Sequence, residues 1–292
     1  EITLSEIRNN RGGYAAGEFG SMSGGAGGIF GESPIIKNCI IENNIGGDAD
    51  MESTRGGGGG VYVYGDAQIH TCRITGNIGG TDGVAPGLGS GGGIHALGGF
   101  VQVFSCTIAD NIGGQGLDGS GSGGIHMDLG TLDVRNSIVW DNLTGGFGPL
   151  PCANEIGGPG AMTVVFSDVK GGFPGWGNVS MDPDFVNQAA SDYHLKLSSM
   201  CIDHGNMMTA IPTLLDIDAE PRIIGTIDMG CDEANLHIYP GSNEDLVLET
   251  VVNFWGPPEA SVRFAEAGDF VTMSMRSPLG TFAPSTMLLP GQ

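Results

Sequence analysis

Residues 36–44 read Ile36-Lys37-Asn38-Cys39-Ile40-Ile41-Glu42-Asn43-Asn44, and this nonapeptide recurs along the chain. Its relatives are ITLSEIRNN from Ile2, IHTCRITGN from Ile69, VFSCTIADN from Val103 and VRNSIVWDN from Val134. All five fit I/V-x-x-C/S-x-I/V-x-x-N. A sixth copy begins at Val164, with Gly172 in place of the final Asn. The first column, Ile2, Ile36, Ile69, Val103, Val134 and Val164, has spacings of 34, 33, 34, 31 and 30 residues. The others are Ser5, Cys39, Cys72, Cys106, Ser137 and Ser167; Ile7, Ile41, Ile74, Ile108, Val139 and Val169; and Asn10, Asn44, Asn77, Asn111 and Asn142. A second motif precedes each copy from the second on: Gly-Gly before Ile29, Val61, Ile94 and Ile125, and Asn154-Glu155 before Ile156.

A fixed period of this length signals a repeat architecture. The apolar residues fall two or three apart and are mostly β-branched, which favours short strands with bends over helices. Each unit shows two or three short strands, too few for a propeller blade. The remaining solution is an all-β, right-handed parallel β-helix (a solenoid), one coil per repeat. Stacked strands lie about 4.8 Å apart, so equivalent residues form ladders. Ile/Val and the small Cys/Ser fill the interior. Asn suits a turn where stacked amides bond one another. The Gly pairs are expected at bends of positive φ and at close passages, and the Gly-rich stretches 79–93 and 113–124 as loops on one side. Residues 1–172 make the coils, 173–239 a last irregular coil and a cap over the open end, and 244–292 a small, incomplete β-sandwich-like module built from alternating strands.

The composition is consistent with this and narrows function. The chain has 292 residues, including 54 Gly and 15 Pro, and a net charge of −22 from 11 basic and 33 acidic residues. That charge excludes a general nucleic-acid binder and disfavours polyanionic ligands. No run of about 18 apolar residues occurs, so direct membrane insertion is not expected. The opening Glu1-Ile2-Thr3-Leu4 already belongs to the repeat, as in a processed chain or part of a longer one. Of six Cys, Cys39, Cys72 and Cys106 share one ladder and are expected as buried free thiols. Cys201 and Cys231 are candidates to pair, and Cys152 has no evident partner. Gly119-Ser-Gly121-Ser-Gly-Gly124 matches a dinucleotide fingerprint only formally, lacking the strand and helix that give it meaning.

The phrases IKNCIIENNIGG and GGGIHALGGFVQVFSCTIADNIGG resemble the β-helix repeats of secreted bacterial surface proteins. From Asn136, NSIVWDN, then VVFSDVKGGFPGWGNVSMDPDFVNQAASDYHLKLSSMCIDHGN and DIDAEPRIIGTIDMGCDE are similar to the terminal part of the choice-of-anchor β-helix proteins. The resemblance covers residues 1 to about 234. It implies the fold and an extracellular or bacterial cell-surface location, and no defined activity.

Candidate sites follow from the ladders. The residue after each Gly-Gly-Ile should point outward, giving a column of Phe30, Tyr62, His95 and His126. Two residues on, the same face carries Tyr64 and Asp128. Stacked rings there form a platform for the sugars of a neutral polysaccharide, and His95, His126 and Asp128 could hold a metal or exchange protons. Asp110 and Asp141 precede ladder asparagines and should be neighbours, a spacing seen in glycosidase carboxylate pairs. Asp182-Pro183-Asp184 and Asp216-Ile217-Asp218 are candidate Ca²⁺ sites, clustered carboxylates being suited to a hard cation; no other cofactor is implied. The favoured function is a non-catalytic extracellular module, a rigid spacer, adhesin or neutral-glycan-binding surface whose partner is an extracellular polysaccharide or cell-surface component. The alternative is a carbohydrate-active enzyme, a polysaccharide lyase or glycoside hydrolase. Against it, Arg8, Lys37, Arg73, Arg135 and Lys170 share no column in adjacent coils, so no basic cluster forms.

Overall fold

The column that begins at Ile2 becomes a parallel sheet of six strands: Ile2–Thr3, Ile35–Lys37, Ala67–His70, Phe100–Phe104, Thr131–Arg135 and Ala161–Val165. The computed structural model describes residues 1–14, 24–49, 56–81, 90–116, 121–145, 155–208 and 213–234, and the backbone of four strands between 260 and 288. Ile2, Ile36, Ile69, Val103, Val134 and Val164 stand in register across that first sheet. A second six-stranded sheet aligns Ile7, Ile41, Ile74, Ile108, Val139 and Val169. A third, of five strands, aligns Ile29, Val61, Ile94, Ile125 and Ile156. The protein is therefore the all-β parallel solenoid expected. About four coils carry three strands of three or more residues, between a two-stranded first coil and a shortened last one. The Ile/Val columns and Cys39, Cys72 and Cys106 form one continuous buried core.

Each coil turns at two single-residue corners on either side of the second-sheet strand. Leu4, Asn38, Thr71, Ser105, Asn136 and Phe166 hold φ between 48° and 52° at one corner. Asn9, Asn43, Gly76, Asp110 and Asp141 hold φ between 56° and 64° at the other. These are left-handed conformations, which Asn, Asp and Gly tolerate best.

The small-residue and Asn columns are hydrogen-bonded ladders. The Cys72 amide points at Cys106 Sγ, Cys106 N–H donates to Ser137 Oγ, and Ser137 N–H donates to Ser167 Oγ. In the Asn column, each backbone N–H and each side-chain amide donates to the next Oδ1, from Asn10 through Asn142, at 2.9–3.1 Å. The second amide proton bonds a carbonyl of the preceding coil: Asn44 to Ile7, Asn77 to Ile41, Asn111 to Ile74 and Asn142 to Ile108. Glu155, which stands where earlier coils have Gly, closes the ladder by accepting from Asn142.

Of the two roles expected of the Gly pairs, close passage is the one found. None of the Gly-Gly pairs before the third-sheet strands has positive φ among the described residues. What they permit is close backbone passage. Legs leaving the Asn corners interleave with legs entering the third sheet: Gly25 donates to Gly13, Gly47 to Gly25, Gly57 to Gly47 and Gly80 to Gly57, at 2.8–2.9 Å. A Cβ on Gly57 would lie 2.1 Å from the Gly25 carbonyl oxygen, and one on Gly80 2.0 Å from that of Gly47. The body-proximal parts of the Gly-rich stretches are thus a second packed layer beside the coils.

The cap also departs from expectation. Val179 bridges Asp168 at the end of the stack. The chain then turns back along the outer face of the second sheet. Asn38 Nδ2 donates to the carbonyls of Leu215 and Asp216, four coils from the end, and Cys231 N–H donates to Thr107 Oγ1. Phe185, Tyr193, Leu195, Cys201 and Met229 cover Ala109, Ile138 and Trp140 there. The solenoid and this flank form one compact unit, Glu1–Ala234, and Asn235–Gln292 forms another. In the second unit, Phe270–Ser277 pairs antiparallel with Ala260–Ser261, Gly280–Thr281 and Ser285–Leu288. Residues 244–259 of the module read at 244–292 lie outside the described residues. Cys39, Cys72, Cys106, Cys201 and Cys231 are all buried free thiols, so Cys201 and Cys231 do not pair; Cys152 lies outside the described residues.

Candidate functional site

Phe30, Tyr62, His95 and His126 do share one register line, each following a buried Ile or Val of the third sheet. The expectation that this column faces solvent is corrected. Phe30 is 67% exposed, but Tyr62, His95 and His126 are at most 1% exposed, as is Asp128. The strand alternates as expected, and Ile94 and Ala96 enter the coil interior while His95 points away from it. The glycine layer lies over that outer side. A Cβ on Gly58 would touch the Cβ atoms of His95 at 3.0 Å and Tyr62 at 3.1 Å. Tyr64 remains open, at 59% exposure. A sugar therefore reaches Phe30 and Tyr64 but not the three rings between the layers.

Under the glycine layer the column forms a cluster. The Tyr62 and His95 rings lie 4.9 Å apart, and those of His95 and His126 meet edge-on at 5.4 Å. Asp128, just past its strand, turns its carboxylate between the histidines. Its Oδ2 lies 3.3 Å from His95 Nε2 and its Oδ1 3.1 Å from His126 Nε2. Ser122 Oγ lies 3.2 Å from Nδ1 of His126. Residues on two adjacent coils thus direct two imidazole nitrogens and a carboxylate at one point.

Asp110 and Asp141 are adjacent, as expected, and border an open cleft of about 530 Å³ with Asn43, Gly76, Gln188 and Tyr193. Their oxygens are engaged by the flanking segment. The Gln188 amide donates to Asp110 at 2.9 Å and to Asp141 at 3.0 Å, Tyr193 O–H donates to Asp110 at 2.7 Å, and Lys170 pairs with Asp141. They fasten the flank to the stack.

The four Asp proposed as Ca²⁺ ligands are placed at turns. Asp216 is buried and accepts from the backbone amides of Asp218, Glu220 and Glu233. Asp182 accepts from the amide of Asp184, and Asp184 pairs with Lys196 and Ser198. Asp218 lies 2.7 Å from His194 Nε2, and Asp192 faces Nδ1 of the same ring. With a carboxylate at each nitrogen, Asp218 first, His194 is raised to about 9. Asp192 is two residues from His194, but Asp218 is 24 away, and no local pattern joins it to the ring.

Sequence reading also missed the buried acids. Burial pushes Glu155 and Asp228 up to about 7 and Asp168 and Asp232 up to about 6. Arg222 is fully buried beside Asp228 and Asp232. It donates to Glu233 Oε2 at 2.7 Å and to the carbonyls of Gly230, Asp228 and Asp232. The loss of Gly-Gly at Asn154-Glu155 was a signal that this coil differs.

These features define the class as a parallel β-solenoid with a flank folded back along it. No model of a known protein family matches the chain, and neither the curated proteins nor the solved structures return a match.

Proposed function

We propose that this chain is the rigid, non-catalytic body of a secreted or bacterial cell-surface protein, of the choice-of-anchor type its repeats resemble. It acts as a spacer or adhesin whose exposed aromatic rings meet a neutral polysaccharide or another cell-surface component. The observation that carries this reading is the unbroken Asn ladder through five coils, closed by Glu155, which ties each coil to the next. Such a stack suits display and spacing, because each coil is fixed by its neighbours.

Electrostatics support the same reading. Glu42 pairs with both Arg8 and Arg73, and Arg135 pairs with Asp133. These cations are neutralised within the chain, whose net charge is −22, and among the described residues they leave no basic groove for a polyanion. Phe30, Tyr64 and Trp176 are exposed, the last at 80%, and stacking on an aromatic face needs no positive charge.

A glycan array with and without Ca²⁺, run beside an assay for oligosaccharide release, tests the proposal. Binding that weakens in Tyr64→Ala or Trp176→Ala, with no product released, is expected. Release of product that is abolished by Asp141→Asn overturns it in favour of a carbohydrate-active enzyme.

A further inference from the structure

We infer that His95, His126 and Asp128 form an internal binding site for a divalent transition-metal ion of the zinc type, clipping two adjacent coils together. The inference is independent of the glycan-binding reading.

The geometry comes first. Each of the three residues offers one ligand atom, and these atoms lie within 4.8 Å of one another. Tetrahedral zinc with bonds of about 2.0–2.2 Å sets its ligand atoms about 3.3–3.5 Å apart. His95 Nε2 lies 3.3 Å from Oδ2 and His126 Nε2 3.1 Å from Oδ1, each near that edge, so a turn of the carboxylate presents one oxygen to both. Small side-chain adjustments suffice to admit the ion. The backbone already fixes the ligands: His95 and His126 are register partners on neighbouring strands, and the Asp128 amide donates to Ala96 of the preceding coil at 2.8 Å.

The surroundings favour the same occupant. Ser122 Oγ can accept from Nδ1–H of His126, which leaves Nε2 with its lone pair directed at the centre. Metal-ligating histidines are oriented by such a second partner. The Asp128 carboxylate is buried and faces both imidazoles, so an ion held between them would be shielded from water. Two imidazoles and one carboxylate suit zinc, cobalt or nickel better than Ca²⁺, which prefers an all-oxygen shell. Because the ligands are covered, the ion enters as the chain folds, and its binding energy adds to folding stability.

The test begins with protein purified in the presence of zinc, dialysed against a chelator and analysed for metal. About one slowly exchanging zinc per chain is expected. Refolding with Co²⁺ should give visible d–d absorption. His126→Gln and Asp128→Asn should lower bound zinc about tenfold or more, while His194→Ala, at the exposed histidine–carboxylate cluster, should retain it. Wild-type protein that refolds in zinc yet holds no stoichiometric ion overturns the inference, as does zinc lost in His194→Ala but kept in His126→Gln. If the first two variants fail to fold, the wild-type denaturation midpoint decides. A midpoint raised by zinc, together with the cobalt spectrum, supports the site, and an unchanged midpoint refutes it.

Discussion

Removal of one internal rung of the Asn ladder should be far more damaging than removal of the end rung. Asn77 is fully buried and its Oδ1 accepts from both the backbone N–H and the side-chain amide of Asn44, each at 3.0 Å. Asn77→Ala leaves those two donors unpaired inside the stack. It also takes the amide proton from the Ile41 carbonyl and one of the two donors from Asn111 Oδ1. Each orphaned buried donor costs about 1–3 kcal/mol, so the two together cost about 2–6 kcal/mol. That is a large part of the roughly 5–15 kcal/mol by which a folded domain is stable. At the first rung, Asn10 is exposed and its side chain donates once, to Asn44, whose oxygen keeps the Asn10 backbone N–H. Asn10→Ala should therefore cost about 0.5–1.5 kcal/mol. Urea unfolding followed by circular dichroism gives both values from the midpoints at constant slope. Equal losses in the two variants would refute the ladder as a source of stability.

Other outcomes follow from the same contacts. Gly57→Ala drives a Cβ to 2.1 Å from a hydrogen-bonded carbonyl, whereas a Cβ on Gly13 meets nothing within 4 Å. The first should cost about 1–3 kcal/mol or more and the second should fall within about 0.5 kcal/mol of wild type by thermal melting. Glu155, Asp228, Asp168 and Asp232 hold raised folded pKa values of about 7, 7, 6 and 6. Their contribution is full below the ordinary carboxylate range and is lost as pH rises through about 6–7. His194, raised to about 9, adds a further loss toward alkaline pH, whereas His70, lowered to about 4 by burial, and the lowered carboxyls of Asp48 and Asp184 act oppositely, on the acid side. Tm should therefore fall between about pH 5.5 and 8.5, and Glu155→Gln should flatten part of that slope; a Tm that rises over the range would contradict the assignment. Arg222→Lys cannot reproduce the four hydrogen bonds of the guanidinium, and should cost about 3–5 kcal/mol, measured as a lower urea midpoint.

The coil stack was legible because its side chains repeat at fixed intervals. Every column of the nonapeptide, from Ile36 to Asn44, appears in the structure at its expected register. The His95 column was misread for a definite reason. Alternation shows only that a side chain leaves the coil interior, and the glycine layer that covers it carries no side chains to announce itself. The glycines were marked by composition, yet their interleaving depends on legs from different coils meeting in space. The flank had no period at all. Its path along the second sheet depends on isolated pairings such as Asn38 with Leu215, 177 residues apart. His194 with Asp218, 24 residues apart, and Arg222 with Glu233, 11 apart, likewise follow no repeat. Glu155 was the exception, since its intrusion into a Gly column was visible in sequence.

Hydrogen exchange of the ladder amides tests most directly whether the chain is one rigid stack. The backbone N–H groups of Asn44, Asn77 and Asn111 each bond the next Asn Oδ1 in the buried ladder. They should exchange most slowly of all, with one shared opening free energy equal to that of global unfolding, while the amide of the exposed Asn10 exchanges faster. Rapid exchange at Asn77, or opening free energies that differ from coil to coil in the middle of the stack, would contradict a rigid body.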